Sequence, residues 1–350
     1  HFGYVKRTPA DTYKAQRRGG KGILGLSTRE EDFVEHLLIT SSHNMLLFIT
    51  TFGRVYSLKG YEIPDAGRTA KGIAIVNLLQ LSAGEKIATM IPISGFEDGK
   101  YLLMATKEGI IKKTELKEYS NIRKGGLIAL ELREGDELIN ARLANENRDV
   151  MLVTRKGMSI RFSEADVRAT GRASIGVRGI TLRDDDYVIG MDICDPANSL
   201  LIITEKGFGK RTDIEEYRIQ SRGGKGLLTY KISEKTGELA GMMMVSDADD
   251  VMLITTEGVI IRIHAADISI IGRNTSGVRL MRTTENNLIV SCAKTDREED
   301  ADEADGAEDE NEPQNGGEEP DGQSGEKSDA SDEEPDLEAG KEILNKLDIE

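Results

Sequence analysis

The chain has 350 residues, a formal net charge of −16 and an apolar content of 38%, which is enough for one large domain or a set of small repeated units. It contains no run of about 20 apolar residues and no secretory h-region, so the sequence predicts neither a membrane protein nor a secreted one. Its two cysteines, Cys194 and Cys292, lie far apart in apolar segments, which favours free thiols in a reducing cytoplasm.

The negative charge is confined to the end of the chain. Residues 296–350 contain 24 acidic and 4 basic residues, a net charge of −20, whereas residues 1–295 have a net charge of +4. The acidic segment is rich in Asp, Glu, Gly, Ser and Pro and has few apolar residues. Because such a segment cannot bury enough surface to offset the entropy of ordering, we predict a folded domain at 1–295 and a largely disordered acidic tail at 296–350.

A repeat of about fifty residues runs through the predicted domain. It aligns six glycines, which we call the hairpin glycines: Gly3, Gly53, Gly109, Gly157, Gly207 and Gly258. A period of that length with several short strands in each unit is typical of a propeller-like array. The chain therefore contains six repeats, numbered 1 to 6 in chain order.

Each repeat reads as four strands in the same order. An apolar run, a Thr three residues before the hairpin glycine, and a second β-rich run predict a tight hairpin, as in Leu46 to Ser57. A basic, Gly-rich loop follows, and two more apolar stretches come after it. We predict an all-β fold of six four-stranded blades. Repeat 1 lacks its first strand because the chain starts at His1, next to the turn at Gly3, which suggests more protein upstream.

The basic loop of repeat 1 has a distinctive sequence that recurs in repeat 5. The first copy, the box (residues 16–22), reads Gln16-Arg17-Arg18-Gly19-Gly20-Lys21-Gly22, and the second box (residues 220–226) reads Gln220-Ser221-Arg222-Gly223-Gly224-Lys225-Gly226. Basic ends around a glycine pair suit a loop that brings its backbone and its cations against phosphates. Neither copy is a nucleotide-binding P-loop, because no Ser or Thr follows the lysine.

Basic residues keep phase with the repeat at two positions. Fifteen residues after the hairpin glycine stand Arg18, Arg68, Lys124, Arg172, Arg222 and Arg273; four residues after it stand Arg7, Lys113, Arg161, Arg211 and Arg262, with Ser57 the exception. Lys71, Arg123 and Lys225 adjoin the first set. Nineteen residues after the hairpin glycine stands another glycine, except in repeat 3, where Ile128 stands at that position. Because equivalent positions lie at equivalent places in each blade, we predict a cationic rim that binds the backbone of double-stranded DNA.

Catalytic and metal-binding patterns are not found. The four histidines do not have metal-ligand spacing, and no nucleophile is paired with a base. The run from Asp184 to Asp186 resembles a cation site but falls where other repeats have an acidic turn, which favours a solvated hairpin tip. With no Trp and 5% aromatic residues, base stacking is disfavoured. We expect no metal, no cofactor and no catalysis by this chain alone.

The box, placed in the first of six repeats and preceded by Gly3-Tyr4-Val5-Lys6-Arg7, resembles the C-terminal DNA-wrapping domain of DNA gyrase A, part of a type IIA topoisomerase. The resemblance implies a β-pinwheel, a propeller-like array whose blades exchange strands. It further implies that the rim wraps duplex DNA with positive handedness, so that ATP-driven strand passage by the parent enzyme introduces negative supercoils. The seven box residues carry that role by positional match, and the second box departs from it at Ser221.

The resemblance also implies partners and a location. They are the rest of gyrase A upstream, gyrase B in an A2B2 heterotetramer that uses ATP and Mg²⁺, and the nucleoid in the cytoplasm, with the isolated domain a monomer. Two alternatives remain: the C-terminal domain of topoisomerase IV, which typically lacks an intact box, and a propeller that serves as a scaffold for an acidic protein partner.

Overall fold

The computed structural model describes residues 3–9, 23–24, 36, 38–67, 70–144, 148–284 and 286–296. The chain divides into two units, His1–Asp300 and Ala301–Glu350, and the second unit lies wholly outside the described residues. The box, Arg68 and the predicted acidic tail beyond Asp296 also lie outside them. Within these ranges the first unit contains 22 strands, a few short 3-10 helices and no α-helix, which confirms the all-β fold class.

The strands form one two-stranded sheet and five four-stranded sheets, all antiparallel. The first sheet pairs β1 (Tyr4–Val5) with β5 (Ile73–Ala74). The second to fourth sheets are β6 (Ile87–Ile93), β3 (Met45–Thr50), β4 (Arg54–Lys59) and β9 (Leu127–Ile128); β10 (Leu138–Ala144), β7 (Tyr101–Thr106), β8 (Ile110–Glu115) and β13 (Val177–Arg178); and β14 (Val188–Cys194), β11 (Asp149–Thr154), β12 (Met158–Ser163) and β17 (Leu227–Leu228).

The last two sheets have the same order of strands. They are β18 (Leu239–Val245), β15 (Ser199–Thr204), β16 (Phe208–Asp213) and β21 (Val278–Arg279); and β22 (Ile289–Asp296), β19 (Asp249–Thr255), β20 (Val259–His264) and β2 (Ile23–Leu24). In each four-stranded sheet, the hairpin predicted at the glycine supplies the two central strands. The short outer strand comes from the loop of another repeat.

This exchange of strands links the repeats. The short strand after each basic loop joins the hairpin of the preceding repeat, as when β13 of repeat 4 pairs with β8 of repeat 3. The strand β2, which directly follows the box, pairs with β20 of repeat 6 through Ile23 and Ile260. The first and last repeats are thus joined by the same exchange that joins neighbours, and the box directly precedes that junction.

The core lies between neighbouring sheets. Alternate residues of one strand face opposite neighbours: Leu47 and Ile49 pack in one cluster, and Leu46 and Phe48 pack in another. Both faces of these central strands are therefore buried, which explains why they read as continuous apolar runs instead of alternating ones. In repeats 2 to 6 the Thr before the hairpin glycine accepts a bond from the first strand residue after it; Arg54 N–H, for example, lies 3.2 Å from Thr50 Oγ1.

The first sheet has two described strands, β1 and β5, where the sequence predicts a blade without its first strand. One detail of the predicted array is corrected. The loop of repeat 3 is two residues shorter than its equivalents, so Gly126, not Ile128, precedes its outer strand. Gly126 has a φ of +73°. Repeat 3 therefore keeps the glycine that precedes the outer strand, but this glycine stands 17 residues after Gly109 instead of 19.

Candidate nucleic-acid interface

Each described basic loop is fixed at its end by a glycine, which we call the closing glycine. In the described loops the closing glycines are Gly72, Gly126, Gly176, Gly226 and Gly277, and all have positive φ. A Cβ on Gly226 would lie 2.3 Å from the carbonyl oxygen of Ser159 in the preceding repeat. Because only glycine accepts both the dihedral angle and this close approach, the loop is held tightly over the neighbouring hairpin.

The cations four residues after the hairpin glycine, which we call the strand cations, are ion-paired within the fold. The pairs are Arg7–Asp65, Lys113–Glu164, Arg161–Asp149, Arg211–Asp247 and Arg262–Asp250, at 2.5 to 3.3 Å. Lys113, Arg211 and Arg262 are buried, and the side chain of Arg161 is 14% exposed. Arg7, at 35%, is the most open of the five.

Most strand cations also bind backbone carbonyls of the next repeat. Arg161 donates to the carbonyls of Ile214 and Tyr217, and Arg211 donates to that of Ile268. Backbone bridges such as Arg161 with Ile219 accompany these bonds. The role of these five residues as DNA contacts stays a prediction. In the structure Arg7, Lys113, Arg161 and Arg211 bind groups of the segment that follows their hairpins, whereas Arg262 pairs with Asp250 of its own hairpin.

The loops, in contrast, hold exposed cations. Arg123 and Lys124 of repeat 3 and Lys225 of repeat 5 are exposed, and within the described residues their side chains make no ion pair or hydrogen bond. Arg222 is also exposed and donates to the carbonyls of Asp166 and Arg178. These bonds hold its guanidinium against the preceding repeat, and its other N–H groups make no hydrogen bond within the described residues, which leaves them available to a phosphate.

Exposed arginines that the repeat pattern did not single out lie close to the second box in space or in sequence. Arg218 stands two residues before Gln220, and Arg168 stands two residues after Asp166, whose carbonyl accepts a bond from Arg222. Arg178 lies beside the loop, since a Cβ on Gly223 would be 3.8 Å from Arg178 Cγ. Sequence reasoning missed them because no basic residue recurs at their positions in all six repeats. Arg178 is brought there by β13, which lies against the loop of repeat 5.

The backbone of the second box also has donors available. The Gly223 N–H donates to Gly179 O, whereas the N–H groups of Gly224 and Lys225 make no hydrogen bond within the described residues. The amide nitrogen of Gln220 is buried without a partner in the same part of the chain. Glycines of positive φ beside free N–H groups form a concave anion-binding backbone, and Gln220 occupies the position that Gln16 has in the box.

Loops of repeats 2, 4 and 6 engage their cations with the protein. The Lys71 ammonium lies 3.8 Å from the centre of the Tyr4 ring, and Arg172 lies 3.8 Å from the Glu118 carboxylate. Arg273 donates to the carbonyl of Leu228 at 2.6 Å. The predicted loop cations therefore differ in availability even though they share a position in the repeat.

Other candidate chemistry is limited in the described residues. They contain no cluster of three potential metal ligands, and Asp186 is not a solvated tip, since it accepts bonds from Thr154 Oγ1 and the N–H of Lys156. Burial raises the pKa of Cys194 and that of Cys292 to about 12, so these thiols hold their protons. No helix among those residues is long and apolar enough to cross a membrane.

Comparison with known proteins identifies the relatives of this array. The family model of the DNA gyrase C-terminal domain, a β-propeller, matches six segments: 1–41, 44–94, 100–145, 148–195, 198–246 and 249–296. Over 299 residues the chain is 56% identical to DNA gyrase A of Clostridium acetobutylicum, covering 85% of this chain and 36% of that protein. The chain thus spans about a third of the length of the curated relatives it matches.

Two solved structures are also similar. A structure of the DNA gyrase A C-terminal domain has a TM-score of 0.76 at 28% identity, over 84% of this chain and 96% of that one. The C-terminal domain of DNA topoisomerase IV has a TM-score of 0.67 at 26% identity, over 84% and 91%. The six matched segments coincide with the six repeats of the sequence.

Proposed function

The chain belongs to the family of DNA gyrase C-terminal domains, and we propose that it binds duplex DNA along its basic loops and wraps it with positive handedness. Wrapping presents a second DNA segment to the parent gyrase, whose ATP-driven strand passage then introduces negative supercoils. The chain performs no chemistry of its own in this proposal. Its partners are the remainder of gyrase A and gyrase B, with ATP and Mg²⁺ used there, at the nucleoid in the cytoplasm.

The observation that carries the proposal is the second box. It combines exposed cations, Arg222 and Lys225, with free backbone N–H groups at Gly224 and Lys225, on a loop pinned at Gly226. Cations that neutralise phosphates release counterions, and N–H groups add directional bonds to phosphate oxygens. No element of the described residues reads base edges, so binding depends on backbone and shape.

Repetition supports wrapping beyond simple binding. Bending a duplex of 20 to 30 base pairs costs about 1 to 6 kcal/mol, and contacts repeated along the bend must offset it. Loops that recur in each repeat, linked by strand exchange from β2 to β21, provide contacts at regular intervals. A rigid series of contacts fixes the path of the DNA, and hence its writhe, where isolated cations would only raise affinity.

The test is topological. The 350-residue chain is bound to nicked circular plasmid, the nick is ligated, the protein is removed and the topoisomers are resolved. We expect a protein-dependent shift to positive linking difference. Tight, salt-dependent binding with no shift would overturn wrapping and leave a DNA-binding domain of the topoisomerase IV kind, and no DNA binding at all would favour the scaffold.

A second test addresses the box itself. Replacing Arg17, Arg18 and Lys21 with Ala removes three cations from one loop, so we expect the linking shift to disappear while affinity falls less, because other loops keep their contacts. The matched control is the triple variant K86A/R133A/R183A, which removes the same charge from exposed positions outside the basic loops. An unchanged linking shift in the box variant would contradict its role.

A further inference from the structure

The described basic loops, those of repeats 2 to 6, are of two kinds that alternate along the chain, and we propose that the loops of repeats 3 and 5 bind the phosphates while those of repeats 2, 4 and 6 are fastened spacers. The proposal rests on the DNA-binding function above and adds which of the described loops make the contact. Two independent observations support it: a lysine beneath alternate loops, and the engagement of the cations on those same loops.

The lysines stand three residues after the hairpin glycine in repeats 1, 3 and 5: Lys6, Lys112 and Lys210. Lys112 is 1% exposed, and its ammonium donates to Ala129 O at 2.9 Å and to Arg172 O. Arg172 belongs to the loop of repeat 4. The lysine of one repeat therefore holds the basic loop of the next through a backbone carbonyl.

The other two lysines do the same. Lys210, fully buried, donates to Gly272 O at 2.8 Å, Arg273 O at 2.5 Å and Thr275 Oγ1 at 3.1 Å, all in the loop of repeat 6. Lys6, which is half-buried, donates to Gly67 O and Ala70 O, both at 3.1 Å, in the loop of repeat 2. A buried ammonium must keep such bonds because leaving it unpaired is costly. We call this contact the lysine clip.

In repeats 2, 4 and 6 the same position holds Tyr56, Ile160 or Ile261, so the described loops of repeats 3 and 5 have no lysine clip. Tyr56 lies under Gly126 in the loop of repeat 3, and its hydroxyl donates elsewhere, to Gln80 O. Ile160 lies under Gly224 in the second box. Ile261 is in β20, which pairs with the strand that directly follows the box.

The loop sequences follow this division. The two unclipped loops carry a basic residue followed by two glycines, Lys124-Gly125-Gly126 and Arg222-Gly223-Gly224, and the box has the same sequence pattern at Arg18-Gly19-Gly20. In the clipped loops the residue after the equivalent cation is Thr69, Ala173 or Asn274 instead of glycine. A glycine pair exposes backbone for close approach to a phosphate, so the unclipped loops have the composition that contact requires.

Most of the described loop cations divide in the same way. On clipped loops Lys71, Arg172 and Arg273 are engaged with Tyr4, Glu118 and Leu228 O respectively. On unclipped loops Arg123, Lys124 and Lys225 are exposed with no such partner among the described residues, and Arg222 is the exception, since it is exposed but donates to Asp166 O and Arg178 O. A half-buried arginine, Arg54, does donate to Gly125 O, but it leaves both cations of that loop unengaged. The two kinds of loop adjoin across a cleft of about 730 Å³ lined by Arg54 and Arg172.

The decisive experiment removes equal charge from the two kinds of loop. For R123A/K124A and R172A/R273A, both in the 350-residue chain, the affinity for duplex DNA is measured as a function of salt. Each lost phosphate contact lowers the slope of log K against log[salt] by about 0.9. We expect a fall of about 1.8 for R123A/K124A and less than about 0.5 for R172A/R273A.

Equal falls in the two variants would overturn the alternation while leaving DNA binding intact. A wild-type chain whose DNA binding is absent or insensitive to salt would instead overturn the proposed function, so the two failures are distinguishable. A larger fall for R172A/R273A would also overturn the alternation. Circular dichroism on both variants checks that the fold is unchanged.

The lysine clip has its own test, which does not depend on DNA. Lys112→Met and Lys210→Met keep the aliphatic stem and remove the ammonium, and hydrogen exchange is followed at the loops. We expect exchange at residues 171–175 and 272–276 to accelerate at least tenfold, with residues 123–125 and 221–225 unchanged. Unchanged exchange at the clipped loops would overturn the clip. Should one variant unfold, the other reports on its own loop independently.

Discussion

The strand cations and the loop cations have the same charge and the same periodicity, yet the fold uses them in opposite ways. Lys113 and Arg262 are buried against Glu164 and Asp250, whereas Arg123 and Lys225 are exposed. The strand position faces the backbone of the next repeat, so a cation there finds carbonyls and carboxylates. The loop position is exposed in repeats 3 and 5, whereas in repeats 4 and 6 its cation is engaged with Glu118 or with Leu228 O. Periodic charge in a repeat protein therefore marks structure and binding alike, and only the partners tell them apart.

Removing one strand cation gives the largest expected loss of stability. Lys113→Met leaves Glu164, which is 0% exposed, without its ammonium partner at 3.3 Å. Because an uncompensated buried carboxylate is strongly unfavourable, we expect the free energy of unfolding to fall by about 3 to 5 kcal/mol. Urea denaturation measures it.

The matched control is the double variant K113M/E164Q. It removes both charges of the pair, so most of the lost stability should return. A loss below about 1 kcal/mol in K113M alone would mean that Glu164 is not dependent on Lys113. The ion pairs of the strand cations would then not stabilise the fold in the way that the contacts indicate.

A smaller effect is expected where the loop meets the hairpin beneath it. Gly226→Ala forces a Cβ to 2.3 Å from Ser159 O at a φ of +75°, so we expect a loss of about 1 to 3 kcal/mol and weaker DNA binding. Gly171→Ala is the control, because a Cβ there meets no atom within 4 Å. Equal stability losses at the two positions would show that close packing of the closing glycine is unimportant.

Much of the fold follows from the sequence because its signals are local. The hairpins are encoded by Thr, glycine and apolar runs, and the repeat multiplies each signal. Strand exchange leaves a much weaker signal: Leu127–Ile128 is only two residues long, and its partner lies in another repeat. The burial of Lys113 could not be read either, since its partner Glu164 is 51 residues away. Long-range partners decide which cations are free.

The lysine clips predict a pH dependence of moderate size. Burial lowers the pKa of Lys112 and that of Lys210 to about 8 from 10.5 in the unfolded chain. Above pH 8 the unfolded state therefore binds more protons, and stability rises with pH by up to about 1.4 kcal/mol per unit for each lysine. The groups that face them are Glu131 and Arg172 around Lys112, and Glu216, Arg273 and the ring of Tyr230 around Lys210.

The measurement is urea denaturation at pH 7.5, 8.0, 8.5 and 9.0. The range stops there because the thiols of Cys194 and Cys292 ionise more readily when unfolded, which lowers stability above about pH 9. The K112M/K210M variant is the control and should lack the rise. A rise of equal slope in wild type and variant would assign it to other groups.

The smallest expected effect on stability is at the exposed loop cations, and it completes the comparison. Removing Arg222 and Lys225 in R222A/K225A strands no buried carboxylate and opens no cavity, so we expect the free energy of unfolding to change by less than about 0.5 kcal/mol. The same variant should lose about 1.8 from the salt slope of DNA binding. Arg222 and Lys225 would then affect DNA binding without affecting stability, whereas Lys113 and Glu164 affect stability.

A stability loss above about 1 kcal/mol in R222A/K225A would mean that the bonds from Arg222 to Asp166 O and Arg178 O hold the repeats together. The distinction between strand and loop cations would then fail at this loop.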